Sequence, residues 1–94
     1  MHIYLVEAEH FEVPGLIRRA FTCRAYAETF ANETANQILQ DASEIIEADF
    51  SPLPLDATPA QRGAAITETL AKLDYECTAY ANVIELKLEE SLPL

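Results

Sequence analysis

Basic residues are scarce in this chain. Six lysines and arginines stand against sixteen aspartates and glutamates, a formal charge of −10 over 94 residues. So few cations cannot neutralise a run of phosphates, and the net charge repels polyanions. Direct nucleic-acid binding and docking on an anionic membrane are therefore not expected. Glycine is scarcer still. Gly15 and Gly63 are the only two, which leaves no phosphate-cradling loop. There are two histidines, His2 and His10, and two cysteines, Cys23 and Cys77, none in a recognisable nucleophile motif. No apolar run approaches a membrane span, and the N-terminus does not read as a signal peptide. These absences predict a cytoplasmic protein with free thiols that is not an enzyme. No catalytic residues, cofactor or metal site are expected.

What is present is charge of one sign, unevenly placed. The first 24 residues are balanced: Glu7, Glu9 and Glu12 against Arg18, Arg19 and Arg24. Everything after Arg24 holds thirteen acids and three bases, and so the whole −10. Half the residues are hydrophobic, so the composition is that of a folded chain, and 94 residues make one domain.

The pattern reads as an α+β domain of ββααβ order, with residues 89–94 as a tail. His2 to Ala8 forms a strand with apolar residues on both faces, as in an inner strand. Pro14-Gly15 marks a turn, and Leu16 to Phe21 returns antiparallel, with the hairpin extending toward Phe11 and Val13. Thr22 is the expected N-cap of a long helix from about Cys23 to Asp49. Tyr26, Ala27, Phe30, Ala31, Thr34, Ala35, Ile38, Ala42, Ile45 and Ile46 fall on its inner arc. Asn32, Glu33, Asn36, Gln40, Ser43, Glu44 and Glu47 fall on the outer one. A linker with Pro52 and Pro54 follows, its Leu53 and Leu55 expected on the core. Thr58-Pro59-Ala60-Gln61 is a capping box with proline in the first helical position, opening a helix to about Leu73. That helix should bury Gly63, Ile66, Leu70 and Leu73, the mid-helix glycine suggesting close packing. Tyr80, Asn82, Ile84, Leu86 and Leu88 then alternate with Ala81, Val83, Glu85 and Lys87, as in a half-buried strand. If the helices run out and back, this strand enters parallel to the first, in sheet order 2-1-3. Both helices then cover one sheet face and leave the other bare, with Tyr4, Val6 or their neighbours exposed.

Four groups of residues are candidates for chemistry or recognition. Glu7, Glu9, His10 and Glu12 suggest metal ligands, but on a strand they point to opposite faces and read better as a solvated strand end. Cys23 beside Arg24 at a helix start has the setting of a reactive thiol, yet neither histidine is placed as its base. Arg18 and Arg19 face opposite sides of their strand. Finally, Glu33, Asn36, Gln40, Glu44 and Glu47 lie at spacings of three and four, one line along about four turns of helix. No lysines balance this line locally. It is the candidate partner-binding strip.

The start His2-Ile3-Tyr4-Leu5-Val6-Glu7-Ala8-Glu9, turning at Pro14-Gly15 into Leu16-Ile17-Arg18-Arg19-Ala20-Phe21, leads directly into the acidic, alanine-rich Thr22-Cys23-Arg24-Ala25-Tyr26-Ala27-Glu28. In this, and in size and acidity, the chain resembles small proteins of phages and mobile elements, anti-CRISPR proteins among them. That class has no common motif, so the resemblance assigns no residue a role. The expected function is a non-enzymatic inhibitor that binds the basic surface of a nucleic-acid-handling protein or complex, either by acidic mimicry of nucleic acid or by steric blocking. The alternative is a structural or interaction protein that self-associates, as a homodimer through the bare sheet face or a strand edge.

Overall fold

The computed structural model describes residues 2–87. The elements are β1 (His2–Glu9), β2 (Leu16–Phe21), α1 (Arg24–Ile45), α2 (Pro59–Leu70) and β3 (Tyr80–Lys87). The chain is thus an α+β domain in the expected ββααβ order, and the sheet order is β2-β1-β3. Leu88 and the tail lie outside the described residues.

One expectation about the sheet is overturned. β3 pairs with β1 antiparallel, His2 opposite Lys87 and Glu9 opposite Tyr80. The cause is the path between the helices. Arg62, in the first turn of α2, bonds to Glu28 and Asn32 in the first half of α1. Leu73, past the end of α2, lies beside Ile45 and Ile46 at the end of α1. The two helices therefore advance in the same sense, and the extended linker makes the return journey. Two asparagines hold it there. Asn36 clasps Leu53, its Oδ1 accepting from the backbone N–H at 2.7 Å and its Nδ2 donating to the carbonyl at 3.1 Å. Asn32 donates to the carbonyls of Leu55 and Ala57 at 2.9 and 3.0 Å. After α2 the chain stands at the far end of β1 and can only enter antiparallel.

Pairing fixes which side chains share a face. Val6, Ala8, Val83, Ala81 and Phe21 face the helices with Tyr4. Val6, Ala8 and Ala81 join the buried core with Ala27, Ala31, Ala35, Ile38, Ala42, Ile66 and Leu70. The alanines keep α1 close to the sheet. The bare face instead carries Ile3, Leu5, Ala20, Ile84 and Leu86. So Val6 is fully buried, against expectation, and the larger apolar side chains of β3 point outward. Alternation alone reports that two faces differ, not which one meets the helices.

The helices depart from their sequence patterns at polar positions. Asn32, expected outside, is completely buried, and Ser43 is also buried. Leu55 and Tyr26 are exposed, because the linker covers the arc that Asn32 and Asn36 occupy and leaves Tyr26 free. Arg62 is buried in place of Gly63, which is exposed with nothing near a would-be Cβ. The Arg62 guanidinium donates to the Ala81 carbonyl at 2.7 Å, Asn32 Oδ1 at 3.0 Å and Glu28 Oε1 at 3.3 Å. This knot ties α1, α2, β3 and the linker together and leaves its buried donors satisfied.

Helix ends follow local rules with two corrections. The capping box is formed in full at Thr58 and Gln61, with Pro59 first in α2. The N-cap of α1, however, is Cys23 rather than Thr22, and no side chain caps it. α1 also stops at Ile45, short of Asp49. Glu47 takes the left-handed conformation (φ 54°), and Ala48 N–H reaches back to Ser43 C=O at 3.0 Å. This is a Schellman ending with a glutamate where glycine is usual. Gly15 serves the hairpin loop with φ 117°, a value only glycine adopts easily. The hairpin pairing ends at Glu9 and Leu16, so Phe11 does not extend it and packs against the core instead.

Candidate functional site

The acidic line foreseen on α1 is only partly a free surface. Glu33, Gln40 and Glu44 are exposed along the helix. Asn36 is committed to Leu53 at both ends of its amide and divides the line. Glu47 is exposed but lies beyond the helix, on its Schellman turn.

Carboxylates from other segments join the end of α1. Ile45, Ile46, Glu47, Lys72, Leu73, Asp74 and Tyr75 surround one hollow. Asp74 and Glu76 also line the adjoining cleft of about 830 Å³, between the last turns of α2 and residues 71–79. The hairpin loop reaches the same end. Tyr75 O–H donates to Glu12 Oε1 at 3.1 Å. His10 Nε2 lies 2.7 Å from Asp41 Oδ2, while its Nδ1 accepts from the backbone N–H groups of Glu12 and Val13 at 3.0 and 3.3 Å. Since Nδ1 accepts, Nε2 carries the proton and donates to Asp41. Gln37 donates to the other Asp41 oxygen at 2.9 Å. Loss of solvation, then the Glu12 carboxylate, holds the Tyr75 phenol above its ordinary value.

Around this end stand Glu12, Asp41, Glu44, Glu47, Asp74 and Glu76, with Lys72 in the hollow beside Glu47 and Asp74 and His10 bonded to Asp41. Elsewhere three carboxylates are paired, Glu7 with Arg18 at 3.3 Å, Glu85 with Arg24 at 3.1 Å and Glu28 with Arg62, while Glu9, Glu33, Asp49, Asp56 and Glu68 stand without an ion pair among the described residues. Arg19 lies over the rings of Phe21 and Phe30 on the helix side. Arg18 and Arg19 thus face opposite sides as the strand pattern requires. Helix polarity sharpens the contrast between the two ends of the molecule. A helix C-terminus carries a partial negative charge and favours cations. Neither helix has a base in its last turn or an acid in its first. Glu44 and Glu47 stand at the end of α1, where the backbone field already disfavours them.

No protein-family model, curated protein or solved structure matches this chain. Its chemistry is therefore read from its own geometry.

The His10–Asp41 pair has the form of a general base with its orienting carboxylate. Yet Nδ1 is occupied by the loop backbone and Nε2 by Asp41, leaving no lone pair for a nucleophile. The ring braces the hairpin loop against α1, stacked on Phe11 at 4.5 Å. Cys23 is exposed at the start of α1 and Cys77 lines the cleft; both are free. Among the described residues no three His, Cys, Asp or Glu side chains are grouped to hold a metal ion. No helix among them is long and apolar enough to cross a membrane.

Sequence reasoning reached Glu44 and Glu47 but missed Asp74, Tyr75 and Glu76, which join them only through the path of α2. The available signal was the absence of a base in the last turn of the first helix, α1.

Proposed function

We propose that this protein is a non-enzymatic inhibitor that docks its acidic end on the cationic groove of a nucleic-acid-handling protein complex, in place of a phosphate backbone. An anti-CRISPR protein is the most concrete form of this reading. The observation that carries it is that Glu44 and Glu47 stand at the C-terminus of α1, with Asp74 sharing the hollow of Glu47 and Glu76 in the adjoining cleft. Mutual repulsion and the helix field both act against the isolated protein there. A lysine- and arginine-rich partner relieves both at once, so the arrangement favours binding at the expense of the free chain's stability. The strip first expected along α1 narrows to its C-terminal half and gains the 71–79 segment.

The test is capture from the native host with the whole protein as bait, eluted with salt and, separately, with an oligonucleotide. The reading expects a nucleic-acid-binding protein that both agents release. It also expects the variant carrying Glu44→Lys, Glu47→Lys and Asp74→Lys to capture at least about 10-fold less. Equal capture by the reversed variant, or retention in the presence of excess oligonucleotide, refutes it.

A further inference from the structure

The hairpin loop is tied down by one imidazole, used from both sides. The β1–β2 ladder ends at the Glu9–Leu16 pair, so the loop from His10 to Gly15 has no strand pairing. Phe11 packs on the core, and past it the chain bends back over the His10 ring, whose side chain is 12% exposed. Nδ1 accepts the backbone N–H groups of Glu12 at 3.0 Å and Val13 at 3.3 Å. Nε2 lies 2.7 Å from Asp41 Oδ2 on α1. A further polar tie of the loop is Glu12, which accepts from the Tyr75 hydroxyl at 3.1 Å.

The two sides of the ring place opposite demands on its protonation. Nδ1 accepts only while it carries no proton. In the imidazolium both nitrogens are donors, and an Nδ1–H would face two N–H groups that cannot accept it. The Asp41 side improves with charge, because a neutral donor to a carboxylate becomes a charge-assisted pair. The titratable groups on the surrounding elements are mostly acids: Asp41 and Glu44 on α1, Glu9 and Glu12 on the hairpin, and Asp74, Tyr75 and Glu76 on the 71–79 segment. Of the bases, Lys72 lines the hollow with Glu47 and Asp74. Arg18 is held by Glu7, and Arg19 lies on the rings of Phe21 and Phe30. The carboxylates therefore favour the charged ring, and the loop backbone favours the neutral one.

We infer that the loop is a pH-sensitive strap. Neutral His10 fastens Glu12 and Val13 across the ring. Uptake of one proton from solvent at Nδ1 unfastens them, while the ring stays with Asp41. Glu12 travels with the loop, so its bond to Tyr75 loosens and the 71–79 segment loses that tie to the hairpin. The strap is a property of the free chain and needs no partner, so it stands or falls apart from the proposed function.

NMR titration of the whole chain from about pH 8 to about 5, the span over which histidines change charge, tests it. The ring nitrogens report the imidazole, and the Glu12 and Val13 amides report the strap. At the alkaline end Nδ1 should be unprotonated and Nε2 protonated. On acidification the two amide protons should move upfield, as lost hydrogen bonds require, with the same midpoint as the His10 ring. His2, 3.3 Å from Glu85 at the other end of β1, is the internal control. Asp41→Asn removes a charge that favours the imidazolium, and should carry ring and amides together to a lower midpoint. His10→Asn supplies a side-chain oxygen that accepts from the same two amides and does not titrate, so its loop amides should stay flat across the range. Loop amides that stay still while the His10 ring titrates overturn the inference. So do amides that follow His2, a proton on Nδ1 at the alkaline end, or a His10→Asn loop that titrates like the unaltered one.

Discussion

The two faces of the sheet are built from the same three strands but on opposite terms. Toward the helices stand small residues, Ala8, Ala81 and Val6, over which α1 lays Ala27, Ala31, Ala35 and Ala42. Their reach is short, so the two layers are joined by a polar knot centred on Arg62 and Asn32, both buried. Away from the helices stand Ile3, Leu5, Ile84 and Leu86, longer and, among the described residues, without a covering layer. The lesson is a division of roles. The covered face holds the domain together, whereas the bare face adds little to it.

That contrast is broken most severely at the knot. Arg62→Ala leaves Asn32 Oδ1, the Ala81 carbonyl and Glu28 without their donor. A loss of about 3 kcal/mol or more in urea unfolding is expected, a large part of the 5–10 kcal/mol typical of so small a domain. Asn32→Leu should cost about 2–3 kcal/mol, since it also releases the linker carbonyls of Leu55 and Ala57. On the bare face, Ile84→Lys should change monomer stability by less than about 0.5 kcal/mol. Comparable losses on the two faces would remove the distinction.

Gains are expected where the chain departs from local rules without packing to justify it. Gly63 sits mid-helix with nothing within 4 Å of a would-be Cβ, so Gly63→Ala should stabilise by about 1 kcal/mol. Glu47→Gly relieves the left-handed φ and removes a charge at a helix C-terminus, and about 0.5–1 kcal/mol is expected. Under the proposed function this second gain comes with weaker partner binding, whereas Gly63→Ala leaves binding unchanged.

The smallest effect is alkaline. Tyr75 beside Glu12 and Tyr80 beside Glu9 are both held above the ordinary phenol value, chiefly by desolvation and then by those carboxylates. The neutral phenol is favoured more in the folded chain than in the unfolded one. Its contribution is complete below pH about 10 and is lost as pH rises through the folded values. Absorbance titration should show these two tyrosines ionising later than in the denatured chain.

How much of this was legible in the sequence depended on range. Thr58-Pro59-Ala60-Gln61 encodes a helix start within four residues, and the capping box forms as written. The strand alternation at Tyr80–Lys87 is equally local. The direction of β3 was not legible, because it follows from a return path set by Asn32 and Asn36. On a helical projection those asparagines look like solvent-facing residues, and only their bonds to the linker show otherwise. The orientation of β3 was hidden for a related reason: its bulkier alternating set faces away from the helices. Of the candidate site, Glu44 and Glu47 could be read along one helix. Asp74 and Glu76 reach them only in three dimensions.

The central claim is that the excess acid forms a directed surface at one end of the molecule. Amide shift mapping with a short cationic peptide such as octalysine, at low salt, tests it most directly. The account expects perturbations concentrated at residues 44–49 and 73–77, fading as salt is added, with Ile84 and Leu86 unmoved. Shifts spread evenly over every exposed carboxylate, or centred on Glu33 and Glu68 instead, would contradict it.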